Sequence, residues 1–381
     1  MKRREFFTTA ATSVAGLMAL TTFSFANTNG NTITIPELKN QHRRFTITQK
    51  HTPIAPLGSE GTTKLWIPLP EDTVFQRLIS LNIEGNYDDS NINANNDFGV
   101  KTLFVTWQPE TKDPNITITM EVETLDWEIA AQGLLDHYEA PETTHYPKEV
   151  LVYLEPSEQI ATDGIVKATA DKIVGNETNP LEKARLIHKW VSANMKRDNS
   201  VIGCGLGNVK QILESGNLSG KCTDINSVFV ALARAAGIPA REMFGIRVGK
   251  SHKLEKYSKT AFGGADANGL SNITGAQHCR AMFYLAGFGW VPADPADVTK
   301  MRLAENKTHN DPDVQFIDEY LFGNWEMNWI GFNFGRDFDI YPAMEQGAMN
   351  NFGYPYAEVD GDPLNYYDPK VFAYNYESQE Q

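Results

Sequence analysis

Cysteine is scarce in this chain, and the patterns missing around it narrow the chemistry. Three cysteines occur in 381 residues, Cys204, Cys222 and Cys279. There is no Cys-x-x-Cys pair and no His-Glu-x-x-His motif, so the sequence gives no support to a zinc site, and neither a metal nor a cofactor is expected. Basic charge is also in short supply. Lysine and arginine number 34 against 48 acidic residues, a formal charge of −14. That balance argues against nucleic acid or an anionic membrane as partner. Beyond the N-terminal stretch no apolar run is long enough to cross a bilayer, so no membrane span is expected in the mature chain.

What is present is one sharply written stretch, Gly220 to Arg241, reading GKCTDINSVFVALARAAGIPAR. Ile225, Val228, Phe229 and Leu232 recur at helical spacing, alanine fills the gaps, and Gly237 with Pro239 stops the run. The spacing predicts a helix with Cys222 in its first turn. Unpaired N–H groups and the positive end of the helix dipole favour a thiolate there, and the same N–H groups can hold an oxyanion. A thiolate so placed needs a base, and the base needs an orienting group. Downstream, His278 falls on one predicted strand and Asp294 on the next, joined by a tight turn over Ala286 to Gly289. Paired strands can bring them together. Cys204, in Gly-Cys-Gly, is a rival nucleophile exposed by its small neighbours but lacks a following helix. Asp224 reads as a helix-start charge. His188 falls off the apolar stripe of its helix and reads as a solvated residue, and His252 is a second base with nothing to orient it.

These residues resemble the transglutaminase-like superfamily, whose members have a papain-like core. The family pattern is matched at Gly220, Cys222, Asp224 and Arg234 to Arg241, then at His278, then from Gly289 to Pro295 in Gly-Trp-Val-Pro-Ala-Asp-Pro. The resemblance implies an α+β fold with N-terminal helices against an antiparallel sheet, and Cys222, His278 and Asp294 as a catalytic triad. It implies acyl transfer on amides, with a protein or peptide as substrate. Peptide or amide hydrolysis, protein-glutamine cross-linking and a non-catalytic binding scaffold all occur among such proteins. The sequence departs from the pattern at Met282, where many relatives carry an acidic residue, so a pocket-shaping role is expected there. Gln211 and Gln277 are candidates for a second oxyanion donor.

The rest of the chain falls into four parts. Residues 1–26 begin MKRREFF and run into an uncharged Ala/Thr-rich stretch ending at Ser24 and Ala26, an export signal resembling the twin-arginine type, which points to the periplasm. Residues 27–140 hold five alternating segments punctuated by Asn, Asp, Gly and Pro, predicting an antiparallel sandwich. Trp66, Trp107 and Trp127 read there as core, with ligand binding as the alternative. Residues 141–300 form the transglutaminase-like domain, with helices predicted over Asp163–Gly175 and Pro180–Met195. Within it, residues 249–276 form a long lysine-bearing loop that reads as a substrate-gating lid or a solvated loop. Residues 301–381 are aromatic and acidic, and are expected to pack on the core. Residues 151–300 carry 18 basic and 14 acidic groups, against 4 and 15 in residues 301–381. In an oxidising compartment an odd cysteine count flags a free thiol. Cys204 and Cys279 are therefore expected either to pair or to stay as buried thiols, with Cys279 turned to the face opposite His278.

Overall fold

In a computed structural model the described residues are 42–54, 59–369 and 372–381, with the short antiparallel pair Ser24–Ala26 and Thr32–Thr34. Most of the expected export signal lies outside them. No described helix is long and apolar enough to cross a membrane.

The expected sandwich forms from two five-stranded antiparallel sheets. The first places Leu270–Asn272, Ala373–Glu380, His42–Thr52, Ile116–Leu125 and Gln76–Gly85 side by side. The second orders Asp362–Pro363, Tyr356–Val359, Thr63–Pro68, Thr102–Trp107 and Asp89–Asn93. Alternation in strands such as Ile116–Leu125 buries every second residue and fills the space between the sheets. Trp66, Trp107 and Trp127 are all buried, as packing requires. Each sheet also takes strands from beyond residue 355, so the C-terminal segment is threaded through the sandwich as well as lying on the core.

The second unit is a helical layer on a four-stranded antiparallel sheet. Its strand order is Gly289–Ala293, Gln277–Leu285, Ala240–Arg247, Trp329–Asn333. Helices Gly164–Val174 and Pro180–Asn194 form close to their predicted bounds, the latter capped by Asn179, which accepts from the Leu181 N–H at 2.9 Å. Both pack around Cys222–Ala235, a helix whose every residue is buried. Two further helices, Pro295–Ala304 and Pro312–Tyr320, follow Asp294 and Asp311 caps with proline at the first helical position.

Glycine permits the closest approach in this sheet. Gly245 pairs with His278 on one side and Gly331 on the other. A Cβ at Gly245 would lie 2.1 Å from the Ile330 carbonyl oxygen and 2.5 Å from the Trp329 ring. That ring instead crosses the glycine and donates its indole N–H to the His278 carbonyl at 2.8 Å. The sandwich grips the same strand, because the Gln76 side chain donates to the Gly331 carbonyl at 2.6 Å and accepts from its N–H at 2.7 Å.

Two expectations follow. Gly245→Ala overpacks the Trp329 contact and should cost about 1–3 kcal/mol in urea unfolding; unchanged stability would mean the strands separate freely at this point. His51 is buried in the sandwich with no hydrogen-bond partner on either ring nitrogen, and burial lowers its pKa to about 3. Its contribution to stability is therefore full above about pH 6.5 and is lost as pH falls toward 3, by at most ~1.4 kcal/mol per unit. His51→Leu should flatten the acid side of the stability curve over that window.

Candidate active site

The cysteine helix begins where its sequence predicts. Asp224 does more than supply a helix-start charge. One carboxylate oxygen accepts from the Lys221 N–H at 2.9 Å, and the other from the Gly207 N–H at 2.9 Å. This fixes the helix mouth against the 203–208 turn. Cys222 is the first helical residue and is buried. The Thr223 N–H is taken by the Cys204 carbonyl at 2.9 Å, and the Cys222 N–H lies at the helix mouth beside its own thiol.

His278 lies on the strand Gln277–Leu285 with its Nε2 2.8 Å from Asp294 Oδ2. The ring also hydrogen-bonds Cys222, and with Nε2 engaged by the carboxylate, Nδ1 is the nitrogen left for sulfur. Asp294 sits one residue past the end of strand Gly289–Ala293, not within it. It caps the next helix, accepting from the Asp297 N–H at 3.2 Å. Asn226, one turn into the cysteine helix, reaches both Asp294 Oδ1 at 3.4 Å and the Cys279 carbonyl at 2.9 Å.

A second carboxylate, unread in the sequence, stands beside the histidine. Asp297 Oδ1 lies 3.4 Å from His278 Nε2, and its Oδ2 accepts from Arg247 at 2.7 Å. Burial opposes ionisation of Asp297, but the charges of Arg247, His278, Lys300 and Arg280 hold it well below the usual carboxylate range. The donor atoms of His278, Asp294 and Asp297 lie within 4.8 Å of one another, a spacing compatible with a cation. Arg247 on Asp297 and Arg280, 3.6 Å from Asp294, supply positive charge there already. Burial disfavours an imidazolium at His278, yet Asp297 and Asp294 outweigh it and raise the pKa above 6.5.

The three cysteines meet. Cys204 and Cys279 both hydrogen-bond Cys222, and all three thiols are free and buried. Those two bonds, then the bond and charge of His278, bring Cys222 well below the usual thiol range against the opposing effect of burial. The same bond to Cys222, with burial, pushes Cys204 up, and burial with that bond does the same for Cys279. The directions favour the negative charge on Cys222 over its two neighbours. One expectation is corrected here. Cys204 is not exposed by its small neighbours, since it is buried and contacts Gln277 O at 3.5 Å and the Tyr354 hydroxyl at 3.2 Å. Cys279 turns its Sγ to the cysteine helix, 3.6 Å from Thr223 Oγ1. Of the two outcomes open for Cys204 and Cys279, the structure has buried free thiols.

Other expectations are redirected by packing. His188 is buried, not solvated, with Nδ1 3.3 Å from Asp318 and its ring against Phe229 and Phe322. Met282 points at Arg241, whose Nε approaches its sulfur at 3.2 Å, and it does not line the cleft. Gln277 lines the cleft, whereas Gln211 belongs to the short helix Val209–Ser215 away from it. His252 stands near Arg43 and Glu380, not His278. The cleft over Cys222 and His278 has a volume of about 400 Å³, and residues Lys259 to Gly264 of the long loop form one wall.

Residues 167–295 match the family model described as the transglutaminase-like superfamily. An uncharacterized protein of Haemophilus influenzae is 54% identical over 367 residues, covering 96% of this chain and 98% of that one. Among solved structures, a "Putative Cysteine Protease" from Cytophaga hutchinsonii superposes with a TM-score of 0.51 at 16% identity, over 90% of this chain and 98% of that one. That likeness shows a shared fold of mixed helix and antiparallel sheet extending over the strand-rich N-terminal part as well as the core. With the cysteine helix, the histidine strand and the Asp-Pro helix start in their family order, the chain belongs to the transglutaminase-like superfamily.

Proposed function

We propose that this chain is a cysteine hydrolase acting on amide bonds of a peptide or protein, with Cys222 as nucleophile, His278 as acid and base, and Asp294 as its orienting group. The observation that carries the reading is the ordered contact from the thiol at a helix mouth, through the imidazole, to a carboxylate 2.8 Å from Nε2. The lowered Cys222 and raised His278 pKa values favour an ion pair at rest, as a thiol nucleophile needs.

In the first step the Cys222 thiolate attacks the amide carbonyl carbon. The oxygen takes the negative charge against the Cys222 N–H, a preorganised donor at the helix mouth. His278 passes its proton to the leaving amine as the C–N bond breaks, which leaves a thioester and a free amine. Water then enters the cleft, gives a proton to His278 and adds to the thioester, and the C–S bond breaks to release a carboxylic acid. The sulfur departs as the thiolate and the imidazolium is restored. Asp294 keeps its proton count throughout and holds the ring tautomer. Cys204 and Cys279 steady the thiolate through S–H bonds.

The test is the pH dependence of Cys222 alkylation by iodoacetamide, read by mass spectrometry at that residue. Fast alkylation should persist well below the free-thiol pKa of ~8.5. His278→Ala should move the rise upward toward that value and cut the low-pH reactivity. The same rise in both proteins would instead indicate an inert binding scaffold. With reactivity established, mass analysis of casein digested with and without a primary amine reads the outcome. Cleaved or deamidated product unaffected by amine is expected for hydrolysis, and amine incorporated at glutamine would replace it with transamidation.

A further inference from the structure

The cleft carries a charge opposite to that of the chain. Its lining includes Arg197, Arg247, Lys259 and Lys300 and no acidic residue, in a protein whose formal charge is −14. One of the four is neutralised, since Arg247 is bonded to Asp297 at 2.7 Å. The others are not held by a carboxylate. Arg197 donates to Asn199 at 3.0 Å and is placed beside the helix mouth by the parallel pairing of Arg197 with Gly220. Lys259 is exposed on the loop wall. Lys300 projects from the helix that Asp294 caps, and no hydrogen bond or ion pair to a described residue holds its ammonium. Burial and then the charge of Arg247 bring its pKa down to about 8, so it remains mainly protonated at neutral pH. The charge of Asp297 reaches Lys300 but is shared with Arg247, His278 and Arg280, and a cleft lined by one sign concentrates the opposite charge.

We infer that the cleft selects a peptide bearing a carboxylate within one or two residues of the scissile amide, received by Lys300 with Arg197 and Lys259 at the rim. This deepens the hydrolase reading and rests on it. The short range follows from size: an extended residue spans ~3.5 Å, so the cleft over Cys222 admits only a few. A carboxylate could come from an acidic side chain or from a free chain end, and both offer the same two oxygens to the ammonium. A nucleic-acid phosphate is a poor fit, because a chain of formal charge −14 would repel the rest of a polyanion.

A pair of alkylating agents that differ mainly in charge tests this without a known substrate. Rates of Cys222 modification by iodoacetate and iodoacetamide are measured near neutral pH and expressed as a ratio, with N-acetylcysteine amide as the reference thiol. The ratio should exceed the reference by on the order of tenfold at low salt and fall toward it at high salt. Lys300→Gln should lower it, and Arg197→Gln and Lys259→Gln, nearer the surface, should lower it less. A ratio equal to the reference and unmoved by all three substitutions overturns the inference while leaving the thiolate intact. Slow modification by both reagents overturns the hydrolase reading and this one with it. Capped peptides then separate the sources by protecting Cys222 from iodoacetamide. Protection by an internal glutamate peptide with an amidated end assigns the side chain, and protection by a neutral peptide with a free end assigns the terminal carboxylate. Equal protection by a neutral, amidated peptide counts against the inference.

Discussion

The structure around the cleft depends on keeping one carboxylate in a place that water does not reach. Asp294 is fully buried, and a charge so placed survives only if neighbouring groups replace its hydration. Four partners do so, from three parts of the core: Asn226 on the cysteine helix, His278 and Arg280 on the histidine strand, and the Asp297 N–H at the start of the next helix. Meeting that requirement brings helix, strand and helix start to one point. Losing one partner of such a buried set typically costs 3–5 kcal/mol, so orientation of the imidazole and stability of the core are the same arrangement seen from two sides.

A second layer of positive charge surrounds that point without entering the cleft. Arg280 lies between the Trp325 and Trp329 rings, 5.4 and 4.9 Å from their centroids, and burial lowers its pKa to about 10. The aromatic faces offset part of its lost hydration, and Trp329 also holds the His278 backbone. The tryptophans of the 325–329 segment therefore act on the site through an arginine and a carbonyl, and the acidic, aromatic composition of the C-terminal region has a structural purpose beyond solubility.

Much of this was legible in the sequence because it is local. Helical spacing located the cysteine, the turn over Ala286 to Gly289 paired the strand of His278 with the strand that leads into Asp294, and alternation drew five strands of the sandwich. The helix starts at Asp294-Pro295 and Asp311-Pro312 were not read, although an aspartate cap followed by proline at the first helical position carries that signal. The contacts that escaped are long-range. Nothing near Cys204 or Cys279 in the chain signals that both meet Cys222, because that meeting is made by the packing of the cysteine helix on the sheet. His188 was misread for a similar reason: Asp318, which pairs with it, lies on a helix 130 residues later. Asp297 follows Asp294 by one helical turn, yet its role depends on Arg247 arriving from another strand.

The placement of the final strand bears on the order in which the molecule is built. Ala373–Glu380 is an interior strand of the first sandwich sheet, paired to His42–Thr52 on one side and to Leu270–Asn272 on the other. Its pairing closes a loop of about 300 residues, an entropic cost that rises slowly with length but slows assembly, since contact between such distant segments must be found late. The short strand it receives ends the loop that walls the cleft. During synthesis the thiol, imidazole and carboxylate can therefore come together before that wall has anything to rest against, and the shape of the cleft is among the last features of the protein to be completed.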